Sequence, residues 1–206
     1  MFARVTWFQG SADRIDDGIT AYRQQAAPAL SALQGNVGAA LLVNRGTGAG
    51  AAISYWDSMQ SLQASEDAAV TLRAQTATEG GMTIGEIDRF EVITQERMAP
   101  PAANTFVRVN DFQASPDKVN DVANLVRDTM PTLKAQKGFR AVLVGANRQT
   151  GRMFISSVWE TAADREASDA AVQERRGQIA QVAGASNIKV ELYESAFAEV
   201  KQAARA

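Results

Sequence analysis

The stretch that decides the fold is RVTWFQGSAD at residues 4–13, which recurs as RVNDFQASPD at residues 108–117. The two stretches share Arg, Val, Phe, Gln, Ser and Asp at a separation of 104 positions. From Pro28 and Pro131 onward the match continues at a separation of 103, and it pairs Trp56 with Trp159. Matches in the same order along the chain, with a rare Trp among them, indicate an internal duplication.

The duplication divides the chain into two modules. We expect the modules at residues 1–97 and 105–197, joined by a linker at 98–104 whose paired Pro disfavours helix and strand. Residues 198–206 form a tail, and the stretch 197–205 is interpreted as a short helix. The change in separation from 104 to 103 predicts that the second copy lacks one residue in its first helix.

Each module shows the element order βαββαβ. Val, Ile and aromatic residues predict strands, recurrence at three- and four-residue steps predicts helices, and Gly35 and Gly138 suit helix ends. The predicted strands are 3–9, 37–44, 51–56 and 86–94, and then 105–112, 140–147, 153–159 and 188–196. The first helix of each copy is expected to run to about 33 and 136, and the second to cover 58–78 and 162–182.

The order βαββαβ predicts an antiparallel sheet with both helices on one face. The other face is apolar, and we expect two such sheets to cover each other about 10 Å apart. The predicted fold class is α+β, with two tandem ferredoxin-like modules that form an intramolecular dimeric α/β barrel. This makes the protein a pseudo-dimer within one chain, and further homo-oligomerisation stays open.

Composition excludes several kinds of chemistry. The chain of 206 residues has no Cys and no His, so thiol catalysis and the commonest metal ligands are absent, and we expect no metal site. The net charge of -2 is spread without a basic stripe, which argues against nucleic acid as a partner. No apolar stretch is long enough to cross a membrane and none follows Met1, so we expect a cytoplasmic protein.

Two segments carry a resemblance to a known family. Residues 55–64, YWDSMQSLQA, and residues 158–167, VWETAADREA, place an aromatic residue and an acid before a helix. This pattern resembles the antibiotic biosynthesis monooxygenase (ABM) family of the dimeric α/β barrel superfamily. The resemblance implies a cofactor-independent oxygenase of a small aromatic or quinol-like substrate. Haem-degrading members use a His after this segment, where the present chain has ASE at 64–66 and ASD at 167–169, so conventional haem ligation is not expected.

The resemblance makes Trp56 and Trp159 the first candidates for a substrate pocket, because the family Trp lies beside one. The alternative is that each Trp anchors the end of a strand. Tyr55, like Tyr22 and Tyr193, is a candidate donor to an oxygenated substrate, although the two copies differ in their hydroxyl groups.

Four polar residues complete the candidate set. Asn44 and Asn147, each followed by Arg, suit oxyanion binding, but their position before Thr-Gly is also typical of a hairpin turn. Arg4 and Arg108 recur in the first strand. If they point into the barrel they are buried and require carboxylates, for which Glu91 and Glu194 are candidates, and the alternative is a structural ion pair or a solvated edge.

Two functions follow from these residues. The first is a cofactor-independent monooxygenase, whose base without His would be a shifted carboxylate, a Tyr, an Arg-stabilised substrate anion or water. The second is a non-catalytic module that binds a small hydrophobic molecule or a protein partner. The sequence assigns no catalytic residue and does not indicate which copy holds a working pocket.

Overall fold

The computed structural model describes residues 1–201 of the chain, which form two compact units. Unit 1 comprises Met1–Arg89, Pro101–Asn104 and the chain from Glu194 onward. Unit 2 comprises Phe90–Pro100 and Thr105–Tyr193. Each unit therefore contains most of one copy of the repeat and a short piece of the other copy.

The first copy follows the predicted order βαββαβ. Its strands are β1 (Phe2–Gln9), β2 (Asn36–Val43), β3 (Ala49–Trp56) and β4 (Thr83–Arg97). Its helical elements are a 3₁₀ turn (Ala12–Arg14), α1 (Ile15–Ala21), a π-helical turn (Tyr22–Ala26), α2 (Ala27–Ala32), α3 (Met59–Ala64) and α4 (Glu66–Gly80). Strand β3 pairs antiparallel with both β1 and β2.

The second copy repeats this order. Its strands are β5 (Thr105–Gln113), β6 (Phe139–Ala146), β7 (Arg152–Trp159) and β8 (Lys189–Val200). Its helical elements are a 3₁₀ turn (Pro116–Lys118), α5 (Val119–Asp128), α6 (Met130–Lys134), α7 (Ala162–Ala167) and α8 (Asp169–Ala183). Strand β7 pairs antiparallel with both β5 and β6.

The last strand of each copy is longer than the sequence predicted, and it contributes to both units. Residues 91–97 of β4 pair with β6, and residues 194–200 of β8 pair with β2. Hydrogen bonding thus links the strands in the cyclic order β1-β3-β2-β8-β5-β7-β6-β4. This is the strand order of a closed antiparallel barrel, so the predicted α+β fold class is confirmed.

The predicted boundaries at 97 and 197 therefore do not separate the compact units. The interpretation of residues 197–205 as a short helix is wrong for 197–200, because backbone pairing with β2 holds these residues in β8. Residues 202–205 of that stretch lie outside the described residues. The predicted linker at 98–104 contains neither helix nor strand.

The one-residue difference between the copies corresponds to the π-helical turn. The amide of Ala27 donates to the carbonyl oxygen of Tyr22, five residues earlier, and this wider turn holds one more residue than an α-helix. The equivalent stretch of the second copy consists of α5 and α6. The first copy therefore carries the extra residue in a specific backbone conformation.

The second helix of each copy is broken once, where the sequence predicted a continuous helix. Ser65 separates α3 from α4, and Ser168 separates α7 from α8. Both serines are buried and both donate a hydrogen bond to the carbonyl oxygen three residues earlier. The same carbonyl oxygen also accepts a hydrogen bond from the arginine of the first strand, Arg4 or Arg108. The helix break therefore coincides with a buried polar contact.

Two glycines enforce the turn before β2 and before β6, as the sequence predicted. Gly35 and Gly138 have φ values of 77° and 72°. A side chain at either position would be strained by that backbone conformation and would meet Asp57 or Asp164. No helix within residues 1–201 is long and apolar enough to cross a membrane. The cytoplasmic location stays a prediction.

Candidate functional site

Unit 1 encloses an apolar cavity of about 700 Å³, its open mouth included. Arg4, Thr6 and Phe8 line it from β1, because alternate residues of a strand point to the same face. The apolar part of the lining comes from the helices and from all four strands of the first copy. These residues are Phe8, Ile15, Ile19, Tyr22, Ala26, Leu30, Leu41, Val43, Ala52, Ile53, Ala69, Leu72, Ala77, Met82 and Ile84.

Arg4 is the charged group on the strand wall of this cavity, and it is only 2% exposed. Its Nη2 donates to the Leu62 carbonyl oxygen at 2.6 Å, to Ser65 Oγ at 3.0 Å and to Glu66 Oε2 at 2.9 Å. Its guanidinium also lies over the Trp56 ring, 5.7 Å from the centroid. The break between α3 and α4 and the Trp56 ring therefore position Arg4.

Two nitrogens of Arg4 have no acceptor within the protein. These are Nε and Nη1, and both are buried. Arg73, which also lines the cavity, has a buried Nη1 without an acceptor. An unsatisfied buried donor costs about 1–3 kcal/mol, and most such groups in folded proteins have a partner. Two residues that line the cavity thus carry donor groups that the protein itself leaves unsatisfied.

Glu66 holds these arginines in place. Its carboxylate accepts from Arg4 at 2.9 Å, from Arg73 at 2.7 Å and from Arg89 at 2.8 Å. Burial raises the pKa of Glu66, but hydrogen bonds from Arg73 and Arg89 and the charge of Arg4 outweigh it and bring the pKa to about 2. Three guanidinium groups against one carboxylate leave the cluster with two net positive charges, so it favours an anion.

Tyr22 also lines the cavity, and its hydroxyl group is titratable. It is buried, and its hydroxyl donates to the Ala40 carbonyl oxygen at 3.2 Å. Burial, together with the nearby Tyr55, raises the pKa of Tyr22 above its ordinary value. Neither Tyr22 nor Glu66 is therefore suited to accept a proton at neutral pH, which removes two of the bases considered from the sequence.

Unit 2 contains a counterpart built around Arg108. Its Nη1 donates to Ser168 Oγ at 3.1 Å, its Nη2 donates to the Arg165 carbonyl oxygen, and Asp169 lies 3.4 Å away. Burial lowers the pKa of Arg108, while Asp169 acts in the opposite direction. Among the described residues, no arginine that lines this cavity has a buried nitrogen without an acceptor.

The cavity of unit 2 is smaller, at about 520 Å³. Ile155, Val172 and Ile179 line it where Ala52, Ala69 and Thr76 line the cavity of unit 1. Asn110 replaces Thr6 at the equivalent strand position, and its Oδ1 accepts from Arg176 Nε at 3.1 Å. Larger side chains therefore fill part of the cavity in the second copy. Arg176, the equivalent of Arg73, is hydrogen-bonded to Asn110 of the same copy.

Both copies share three features, namely a broken second helix, an arginine on the first strand and a cavity between sheet and helices. A model of the family described as antibiotic biosynthesis monooxygenase matches residues 105–184. The second module therefore matches that family. The resemblance read from the sequence of this ABM module is thus confirmed.

The curated relatives of the chain are uncharacterised. A protein of Mycobacterium tuberculosis named Rv2557 is 26% identical over 162 residues, which cover 78% of this chain and 72% of the relative. A second protein of the same organism, Rv2558, is 24% identical over 205 residues, covering 98% of this chain and 86% of the relative. The similarity to these two relatives therefore covers parts of both copies of the repeat.

Solved structures share the fold across both modules. A crystal structure described as an anthrone oxidase-like protein has a TM-score of 0.72 and 14% identity, covering 100% of this chain and 96% of the other. A monooxygenase-like protein of Listeria innocua has a TM-score of 0.57 and 10% identity, covering 94% of both chains. The heme-degrading enzyme LmHde of Listeria monocytogenes has a TM-score of 0.55 and 9% identity, covering 93% and 98%.

The tryptophans of both copies occupy the same structural position. Trp56 and Trp159 are fully buried, and each Nε1 donates at 3.0 Å to the serine two residues earlier, Ser54 or Ser157. Trp159 also packs edge-on against Phe139. Neither Trp is among the cavity-lining residues, although Trp56 supports Arg4. Tyr55 precedes Trp56 in β3 and is also not part of the lining.

Asn44 and Asn147 lie in the hairpin turns. Asn44 Oδ1 accepts from the amides of Gly46 and Thr47 at 3.0 and 3.1 Å, and Asn147 makes the same two contacts in the ABM module. An Asn that bonds the backbone two and three residues on is typical of a tight turn. The structure does not bring either residue to a cavity.

The prediction that Glu91 and Glu194 are the carboxylate partners of Arg4 and Arg108 is wrong. Arg4 pairs with Glu66 and Arg108 lies near Asp169, both at the start of a helix. Glu194 instead pairs with Arg45, and Glu91 pairs with Arg148. Alternation along the strand does not account for this, because Glu91 shares a face of β4 with Arg89, which reaches Glu66. Glu91 and Glu194 are instead engaged by Arg148 and Arg45 of the hairpin turns.

Sequence reasoning missed the roles of Glu66, Arg73 and Ser65. A signal for them was present, because an acid at 66 and 169, a Ser at 65 and 168 and an Arg at 73 and 176 recur in the repeat. Charged residues that survive in both copies at a helix break point to a shared buried cluster.

Proposed function

We propose that this protein is a cofactor-independent monooxygenase that oxidises a small phenolic or quinol-like aromatic compound in the cavity of unit 1. The observation that carries the proposal is Arg4, which is almost fully buried, has two nitrogens without an acceptor and lines a mostly apolar cavity. The anthrone oxidase-like structural neighbour suggests the substrate chemistry.

The reaction balances without an external reductant. An activated methylene between two aromatic rings reacts with O₂ to give a ketone and water, so that R₂CH₂ + O₂ gives R₂C=O + H₂O. The carbon loses two hydrogens and gains one oxygen atom, and the second oxygen atom leaves as water. All four electrons come from the substrate, which first loses a proton and then reduces O₂ directly.

Arg4 supplies the stabilisation that this route requires. Deprotonation places negative charge on the phenolic or enolic oxygen, and a fixed guanidinium in a water-poor cavity lowers the energy of that anion. Because Glu66 is paired with three arginines and burial raises the pKa of Tyr22, water is the expected proton acceptor. The apolar walls hold the ring system and keep bulk water away from the reduced oxygen species.

Oxygen uptake with dithranol, a dihydroxyanthrone, tests the proposal. We expect the full chain to consume O₂ above the spontaneous rate, and Arg4→Lys to lower kcat/KM by about a hundredfold, as when one oxyanion donor is lost. The matched variant Arg108→Lys changes the equivalent arginine of unit 2 and is expected to retain activity. Uptake at the spontaneous rate with the folded protein would overturn the proposal, and so would equal losses in the two variants.

A second function is favoured by one specific observation. Among the described residues that line the cavity, none has a side chain suited to act as a general base at neutral pH. A module that only binds an aromatic anion needs the same Arg4 and the same apolar walls but no base. Saturable binding of dithranol in the absence of any catalysed oxygen uptake would favour this binding role over the oxygenase.

A further inference from the structure

The cavity of unit 1 presents more buried positive charge than a single phenolate requires. Arg4 and Arg73 both line it, and both have a buried nitrogen with no acceptor in the protein. Their Nη2 atoms bind opposite oxygens of the same Glu66 carboxylate, at 2.9 and 2.7 Å. The two guanidinium groups are therefore neighbours, and both residues line the same cavity.

We infer that the natural ligand of unit 1 is an aromatic hydroxy acid, whose phenolic oxygen lies at Arg4 and whose carboxylate lies at Arg73. This inference rests on the proposed site and deepens it by naming the substrate class. The two acidic groups of this ligand match Arg4 and Arg73, the two arginines of the Glu66 cluster that line the cavity. A carboxylate is also the group that guanidinium donors bind with the best geometry.

The apolar remainder of the cavity fits the ring system. Ile19, Leu41, Val43 and Ile84 line it with side chains that offer no hydrogen-bond partner. The cavity also opens to solvent, so a ligand has a route to this apolar wall. Polar groups thus concentrate at the arginines, as expected for a ligand with an acidic end and an apolar body.

Unit 2 shows what the same cluster looks like when its arginines are engaged within the protein. Arg176, the equivalent of Arg73, donates to Asn110 at 3.1 Å and to Asp169 at 2.8 Å. Unit 1 has Thr6 in place of Asn110, and no acceptor reaches Arg73 Nη1. The inference therefore assigns the hydroxy acid to unit 1, at one molecule per chain.

Calorimetric titration of the full chain with 3-hydroxy-2-naphthoate and with its neutral amide, 3-hydroxy-2-naphthamide, tests the assignment. The two probes share their ring and hydroxyl group and differ in the negative charge. We expect the acid to bind at least about tenfold more tightly, the effect of one charge-assisted hydrogen bond, with a stoichiometry of one. Arg73→Gln should abolish this preference, whereas the matched Arg176→Gln in unit 2 should preserve it.

Equal affinity of the wild-type protein for acid and amide would overturn the inference, as would an undiminished preference in a folded Arg73→Gln protein. Thermal unfolding of each variant establishes that it is folded. The result is separable from the test of the proposed function. If the protein catalyses oxidation of dithranol but shows no preference for the acid, the assignment of a hydroxy acid is contradicted and the oxygenase proposal stands. If it prefers the acid but catalyses no oxidation, the oxygenase proposal is contradicted and the assignment of the hydroxy acid stands.

Discussion

The amide of Ala27 donates to the carbonyl oxygen of Tyr22, five residues earlier, and so closes the π-helical turn of unit 1. This turn forms part of the cavity wall, because Tyr22 and Ala26 both line the cavity. The second copy, which is one residue shorter here, has the smaller cavity. π-Helical turns occur often at functional sites, and here the extra residue coincides with the arginines that have unpartnered nitrogens.

Deletion of Gln24, an exposed residue of the π-helical turn, should restore α-helical spacing. The deletion removes the wide turn that carries Tyr22 and Ala26 and gives this stretch the length found in the second copy, so the cavity should shrink toward that of unit 2. We expect a folded protein, since the second copy folds with the shorter helix, and at least about tenfold weaker calorimetric binding of 3-hydroxy-2-naphthoate. Gln24→Ala is the control and should bind normally. Unchanged affinity in the deletion variant would show that the turn does not shape the site.

Trp56→Phe and Trp159→Phe should both lower the free energy of unfolding by about 1–3 kcal/mol. Each change removes buried ring volume and leaves Ser54 or Ser157 without its 3.0 Å donor. Urea unfolding of the two variants provides the measurement. Of the two tryptophans, only Trp56 contacts Arg4, the arginine of the larger cavity. Only Trp56→Phe should therefore also weaken binding of the naphthoate. A loss of binding in Trp159→Phe would contradict the assignment of the ligand to unit 1.

Asn44→Ala and Asn147→Ala should destabilise the protein without affecting its ligand. Each variant removes the acceptor of two turn amides, and we expect a loss of about 0.5–1.5 kcal/mol per variant in urea unfolding. Naphthoate affinity and oxygen uptake should stay at wild-type values, since neither Asn lines a cavity. A large loss of activity in either variant, with stability preserved, would return these residues to the list of site residues.

Stability should depend on pH through Glu66. Its pKa falls from an ordinary 4.5 to about 2 in the folded protein, so its contribution is complete above about pH 4.5 and is lost as the pH falls toward 2. The difference in the free energy of unfolding between wild type and Glu66→Gln should be constant from about pH 7 to about pH 5 and should shrink below that. Urea titrations across this range measure it. A difference that stays constant down to about pH 3 would mean that the three arginines do not stabilise this carboxylate.

Much of the fold could be predicted because it depends on local patterns that occur twice. The recurrence of Arg4 as Arg108 and of Trp56 as Trp159 marked equivalent positions, and Gly35 and Gly138 marked equivalent turns. The candidate site was predicted less well. Arg4 was among the candidates and the structure places it at a cavity, but its partner was sought on the last strand, because its contact with Glu66 depends on where the second helix packs on the sheet.

The sequence by itself determined the element order, the duplication and the absence of His and Cys, since these are properties of residue type and spacing along the chain. Only the tertiary structure shows that the cavity of unit 1 is larger than that of unit 2 and that two arginines lining it have nitrogens without an acceptor. Ala52 and Ile155, or Thr6 and Asn110, differ little as strand residues, and their effect emerges only when a helix packs over them and the remaining space is either filled or left open. Whether a buried arginine finds an acceptor depends in the same way on groups brought together from distant parts of the chain.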